Sequence, residues 1–191
     1  MPRIKTILYA SLLVYVSYLT VILATDYQTF AGRNHLPFTV WVIDTIDLFI
    51  HEGGHFFFAI FGRFMQFLGG TLMQLLIPIA MIVVLARTGP RGVPFALYWL
   101  GQSTVNASVY IADAPYQRLR LISRHAMHDW RWILGYLGMV NVAEDLASVV
   151  NFIGILACAA GIGLGVYFVV QDFRTSLGSG DKDDVTPPLS Q

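Results

Sequence analysis

Residues 38–61 read FTVWVIDTIDLFIHEGGHFFFAIF, an apolar run of the length that crosses a bilayer, interrupted by Asp44, Asp47, His51, Glu52 and His55. Ionisable side chains inside a membrane helix are expensive, and they normally face protein or a water-filled cavity. From Asp44 the steps to Asp47, His51 and His55 are three, four and four residues, which keeps those four on one helical face. The stretch therefore predicts a helix in a helical membrane protein, with its chemistry gathered on one side.

The rest of the chain agrees with that environment. Of 191 residues, 55% are hydrophobic and only 13% charged, too apolar for an ordinary soluble domain. Lys and Arg number 12, and so do Asp and Glu, so no excess of basic charge points to nucleic acid. The single cysteine, Cys158, lies in an apolar run and reads as a small buried hydrophobe.

Spans are expected near 7–24, 38–61, 67–85, 93–112 and 146–170, each bounded by charge, Gly or Pro. The first follows Arg3 and Lys5 and is read as a retained helix, because it is long for a signal peptide and lacks a clear small-x-small cleavage site. A basic segment, 113–131, separates the last two spans, and the apolar residues 132–140 suggest a short interfacial or re-entrant helix. The expected fold class is thus all-α: a polytopic membrane bundle of about five transmembrane helices plus a short interfacial helix. Residues 1–177 form one membrane domain, and 178–191 form a disordered tail.

For orientation, a cytoplasmic N-terminus places Arg3, Lys5, Arg63, Arg118, Arg120, Arg124 and Arg131 inside. Arg33, Arg87, Arg91, Arg174 and Lys182 then fall outside. The expectation is a multi-pass protein of the cell (inner) membrane with its N-terminus in the cytoplasm.

Two histidines four residues apart stack on a helix and can reach one cation. Glu52, rotated away from them, suits a general base that takes a proton from a water whose pKa a zinc ion has lowered to about 7. Asp44 and Asp47 fit either as acceptors for imidazole N–H groups or as hydrated carboxylates. Gly53 and Gly54 leave room for another backbone to approach.

A catalytic zinc takes three protein ligands and keeps an open position, so one ligand must come from elsewhere. Asp113, at the end of the fourth span, is the first candidate, and a hydrated loop carboxylate is its alternative. His128, in His128-Asp129-Trp130, competes for the position, with Asp129 as its orienting carboxylate. His125 is a further candidate. His128 and His125 can equally be solvated beside the interfacial Trp130 and Trp132, and His35 reads as a surface residue. Asn106 can bind a substrate backbone or an oxyanion, or can bridge two helices.

The pattern resembles the site-2 protease family of intramembrane zinc metalloproteases, as a divergent member without a PDZ domain. Its HExxH motif matches His51-Glu52-Gly53-Gly54-His55, and Asn106 and Asp113 resemble its later Asn-Pro…Leu-Asp-Gly motif. No Pro follows Asn106, however, and Ala112-Asp113-Ala114 stands in place of Leu-Asp-Gly. The resemblance implies an enzyme that hydrolyses peptide bonds of membrane protein or peptide substrates, with zinc as its cofactor.

Two other readings stand beside it. One is a non-catalytic metal-binding membrane protein, whether inactive homologue, sensor or transporter; the other is a structural membrane protein without metal. The sequence is silent on oligomeric state.

Overall fold

The computed structural model describes residues 2–27, 36–119 and 128–180, with residues 2–3 and 177–180 as backbone only. Among these residues every regular element is helical. The helices are α1 (Pro2–Thr25), α2 (Phe38–Phe58), α3 (Arg63–Thr88), α4 (Val93–Asp113), α5 (Asp129–Tyr136) and α6 (Ala143–Gly180). Four of the five long helices lie within about five residues of the expected apolar runs, α6 overruns the fifth, and α5 overlaps the short helix expected at 132–140. α6 continues to Gly180, while residues 181–191 of the expected tail lie outside the described residues, as do His35 and His125.

Three helical stretches are long and apolar enough to cross a membrane: Ile4–Thr25, Arg63–Thr88 and Val140–Ser176. Phenylalanines, isoleucines and valines on the outside of the bundle remain exposed, as a lipid-facing surface requires. About five spans are expected, and among the described helices three qualify by length and apolarity; α2 and α4 do not. Their polar residues point at each other instead of being absent. Asp47, Gln102 and Ser103 are buried, and Gln102 and Ser103 of α4 donate to Asp44 and Asp47 of α2.

Helix direction follows from the paired residues. The Thr6 hydroxyl donates to Asp172, Gly165 packs on Leu13, and Gly161 packs on Pro94, so α6 runs antiparallel to both α1 and α4. Gly92 lies on Leu85 and Gln74 reaches Asn106, which makes α3 antiparallel to α4. Gly54 meets Gly69, and His55 meets the Gln66 carbonyl, so α2 is antiparallel to α3. Hence α1, α2 and α4 point one way while α3 and α6 point the other.

That arrangement is not a simple serpentine. α1 and α2 are consecutive yet run in the same sense, and α2 begins partway along the bundle, where Thr39 shares a hydrogen bond with Tyr15 and Gln102 donates to the Val40 carbonyl. Thr6 near the start of α1, Asp172 near the end of α6, and Arg91 lie together at one end. Arg91 was expected on the opposite side from the N-terminus, and the structure reverses this, because its guanidinium pairs with Asp172 and its carbonyl accepts from Tyr9.

Small residues set the close approaches. A side-chain carbon at Gly54 would overlap the Gly69 carbonyl, and one at Gly101 would overlap Cys158, so α2–α3 and α4–α6 pack nearly backbone to backbone. Between α2 and α3 the chain reverses at Gly62, whose φ of 95° is the left-handed region that glycine adopts without steric cost.

Candidate metal centre

The reversal at Gly62 lays the second half of α2 along the first half of α3, and this decides where the histidines point. Gly70 gives the His51 ring its space, since any added side-chain carbon would collide with the imidazole. The two rings sit 4.7 Å apart, centroid to centroid, at an interplanar angle of 85°.

Each ring is held by its inner nitrogen. His55 Nδ1 is 2.8 Å from the Gln66 carbonyl oxygen, an acceptor only, so this nitrogen carries the proton. His51 Nδ1 is 3.2 Å from Gln74 Oε1. The Gln74 amide nitrogen is spent on Asn106 Oδ1 at 3.0 Å and on the Ser103 carbonyl at 3.4 Å, which leaves Oε1 to accept from His51. Both imidazoles are thereby set with Nε2 outward.

Those two Nε2 atoms converge on one oxygen. Asp129 Oδ2 lies 3.1 Å from His51 Nε2 and 3.1 Å from His55 Nε2. The ligand atoms of His51, His55 and Asp129 all fall within 4.8 Å of one another. With both Nδ1 atoms donating, each Nε2 can either donate to Asp129, when its ring is protonated, or offer its lone pair to a cation held beside that carboxylate. Ligands about 2.0–2.2 Å from a tetrahedral zinc stand about 3.3–3.6 Å apart, close to the two nitrogen–oxygen separations of 3.1 Å found here. Side-chain exposures of 17, 19 and 21% leave the cluster sheltered but reachable by water.

Asp129 opens α5, where its charge is favoured by the helix dipole. Burial pushes its carboxyl up, but the hydrogen bonds from His51 and His55 outweigh that and hold it below the usual carboxylate range. The helix is clamped from both sides. Ile133 and Leu134 are buried, Leu134 in a cluster with Ile111 and Ala114, and Trp130 Nε1 donates to Thr71 at 3.1 Å. Trp132 stacks on Phe67 at 4.4 Å and on Tyr136 at 5.4 Å, with the Arg63 guanidinium 5.5 Å above its ring.

The two expected third ligands occupy neighbouring positions with other partners. Asp113 accepts from the backbone N–H groups of Arg118 and Leu119 at 2.9 and 3.0 Å, closing the turn after α4. His128 precedes α5, with Nδ1 3.8 Å from Asp113. The structure thus brings Asp129 to the histidines where Asp113 or His128 was expected. Glu52, beside His51 but turned outward, is exposed and close enough for its charge to act on His55.

Asp44 and Asp47 do not orient the imidazoles; Gln74 and the Gln66 carbonyl do. Asp44 accepts from Tyr27 at 3.0 Å and Gln102 at 3.1 Å, while Asp47 accepts from Trp99 at 2.8 Å and Ser103 at 2.7 Å. Both carboxylates tie α2 to its neighbours. Asn106 takes its interhelical role: it accepts from Gln74 and donates to Tyr27 at 2.7 Å.

Sequence reasoning placed Asp129 only behind His128. The signal present in the chain was the segment His128-Asp129-Trp130 itself, read with the two roles exchanged. No family model, curated protein or solved structure matches this chain.

Proposed function

We propose that the chain is an intramembrane zinc metalloprotease, with His51, His55 and Asp129 as ligands and Glu52 as general base. The observation that carries this reading is the convergence of two outward Nε2 atoms and one carboxylate oxygen, with an uncommitted glutamate beside them. His51, His55 and Asp129 would hold the zinc ion, which would supply a low-pKa water and Lewis acidity for the scissile carbonyl. Glu52 accepts the water proton and returns it to the leaving amine. Gln74 and the Gln66 carbonyl hold the two rings in register, as outer partners of ligating histidines commonly do.

The membrane reading extends to α2 and α4. Each has 21 residues, about 31 Å of helix, and each has polar groups bonded to the other. In the proposed topology α1, α3, α4 and α6 cross completely, and α2 starts within the bilayer and runs to the face opposite the start of α1. A cytoplasmic N-terminus puts Arg3, Lys5, Arg87, Arg91 and Arg174 inside against Arg63, Arg118 and Arg131, among the described residues. The protein then belongs to the cell membrane, with its metal centre toward the outer face. Membrane proteins or peptides are the proposed substrates.

The test is metal analysis and peptide hydrolysis with purified protein in detergent. One zinc per chain is expected, retained by Glu52→Gln with loss of hydrolysis. Metal-free wild type, or hydrolysis surviving Glu52→Gln, overturns the assignment. Retained zinc without turnover in the wild type would favour a non-catalytic metal-binding protein.

A further inference from the structure

α4 carries Trp99, Ser103, Asn106, Tyr110 and Asp113 at steps of four, three, four and three, which places them along one face. The ends of this row are located by contacts. Trp99 and Ser103 bond Asp47, Asn106 bonds the glutamine that holds His51, and Asp113 lies beside His128, the residue before Asp129. Tyr110 falls between Asn106 and Asp113, about one turn from each. It is therefore flanked by Asn106, tied to His51 through Gln74, and by Asp113, which lies beside the neighbour of Asp129.

Its surroundings are acidic. The carboxylates of Asp44, Asp129, Glu52 and Asp113 all act electrostatically on the Tyr110 side chain. The ring is half-buried, and among the described residues its hydroxyl makes no hydrogen bond. The other polar groups of this face are committed. Asn106 is used at both ends of its amide, the Trp99 indole and Ser103 hydroxyl serve Asp47, and the Gln102 amide nitrogen serves Val40 and Asp44.

We infer that the Tyr110 hydroxyl donates a hydrogen bond to the oxyanion formed when water adds to the substrate carbonyl. In that step the water oxygen bonds to the carbonyl carbon, the π pair moves onto the carbonyl oxygen, and the released proton goes to Glu52. Collapse breaks the C–N bond, and Glu52 delivers the proton to the amine. Tyr110 keeps its own proton throughout. Its contribution is selective because the oxygen it serves is fully charged only after addition, and a single oxyanion donor is worth about 10²–10³ in kcat. The assignment rests on the proposed hydrolytic reading of the same centre.

The experiment uses the full chain in detergent with cobalt(II) in place of zinc, followed by its visible spectrum. Two probes are titrated: azide, and a phosphinic dileucine pseudopeptide whose tetrahedral anion imitates the adduct. Tyr110→Phe is expected to keep one cobalt per chain, to bind azide within twofold of wild type, and to bind the phosphinate at least tenfold more weakly. Equal phosphinate affinity in the two proteins overturns the role of Tyr110 while leaving the metal centre intact. Loss of cobalt from Tyr110→Phe also overturns that role, and a wild type that binds cobalt without phosphinate overturns the hydrolytic reading. A wild type that takes up no cobalt overturns the metal reading itself.

Discussion

At the residue scale the centre distinguishes two aspartates with different roles. Asp129 offers an oxygen to both histidines, whereas Asp113 is occupied by two backbone amides. Asp129→Asn should therefore reduce zinc stoichiometry below one, measured on protein passed over a weak chelating resin. Asp113→Asn should keep the zinc and lower thermal stability by about 1 kcal/mol, the worth of weakened hydrogen bonds to a charged acceptor. The opposite pattern would restore Asp113 as the ligand. Gly70 makes a second case, because its missing side chain is the space that the His51 ring fills. Gly70→Ala should weaken zinc binding at least tenfold in competition with a chromogenic chelator, and unchanged affinity would show that the ring can relocate. His51, Glu52 and His55 were legible in the sequence because a helix fixes the spacing of its own residues. The role of Gly70 was not, because it depends on which neighbour α2 meets.

At the element scale α5 matters most. It is only eight residues long and could not hold Asp129 in place by itself, since helices of that length are marginal in isolation. Its position comes from the Trp132 stack on Phe67, the Trp130 bond to Thr71, and burial of Leu134 against α4. Trp132→Ala should thus weaken zinc affinity about tenfold or more, although the residue touches no ligand. Isothermal titration gives the affinity, and the quantity to compare is the same substitution's effect on melting of the metal-free protein. A variant with unchanged zinc affinity would mean that α5 stays docked without the stack. The five long helices could be read from apolar run length alone. The exchange of roles between His128 and Asp129 could not, because it is set by the phase of a short helix and by the side on which α5 lands.

At the scale of the whole molecule, helix direction governs which surfaces face which side of a membrane. Thr6 and Asp172 share a hydrogen bond, so the start of α1 and the end of α6 lie at one end. Single cysteines introduced at Lys5 and Arg174 should react with an impermeant maleimide from the same side of sealed vesicles, and a cysteine at Gln117 from the other side. Labelling of Lys5→Cys and Arg174→Cys from opposite sides would refute the shared end. Counting apolar runs gave an odd number of alternating spans and hence opposite termini. A run of sufficient length does not state its direction, and α2 follows α1 in the same sense.

What the sequence by itself determined is local: helical segments from their apolar length, and two histidines and a glutamate on known faces of one helix. These follow from the pitch of the helix and the polarity of the side chains, which need no partner. Tertiary structure alone decided that Asp129 lies against both histidines, that Gln74 and the Gln66 carbonyl turn both Nε2 atoms toward it, and that Asp44 and Asp47 brace α2 instead. Each of these joins residues far apart in the chain or on different helices, and such contacts depend on packing between close-approaching glycines and on helix direction, neither of which is written in any one segment.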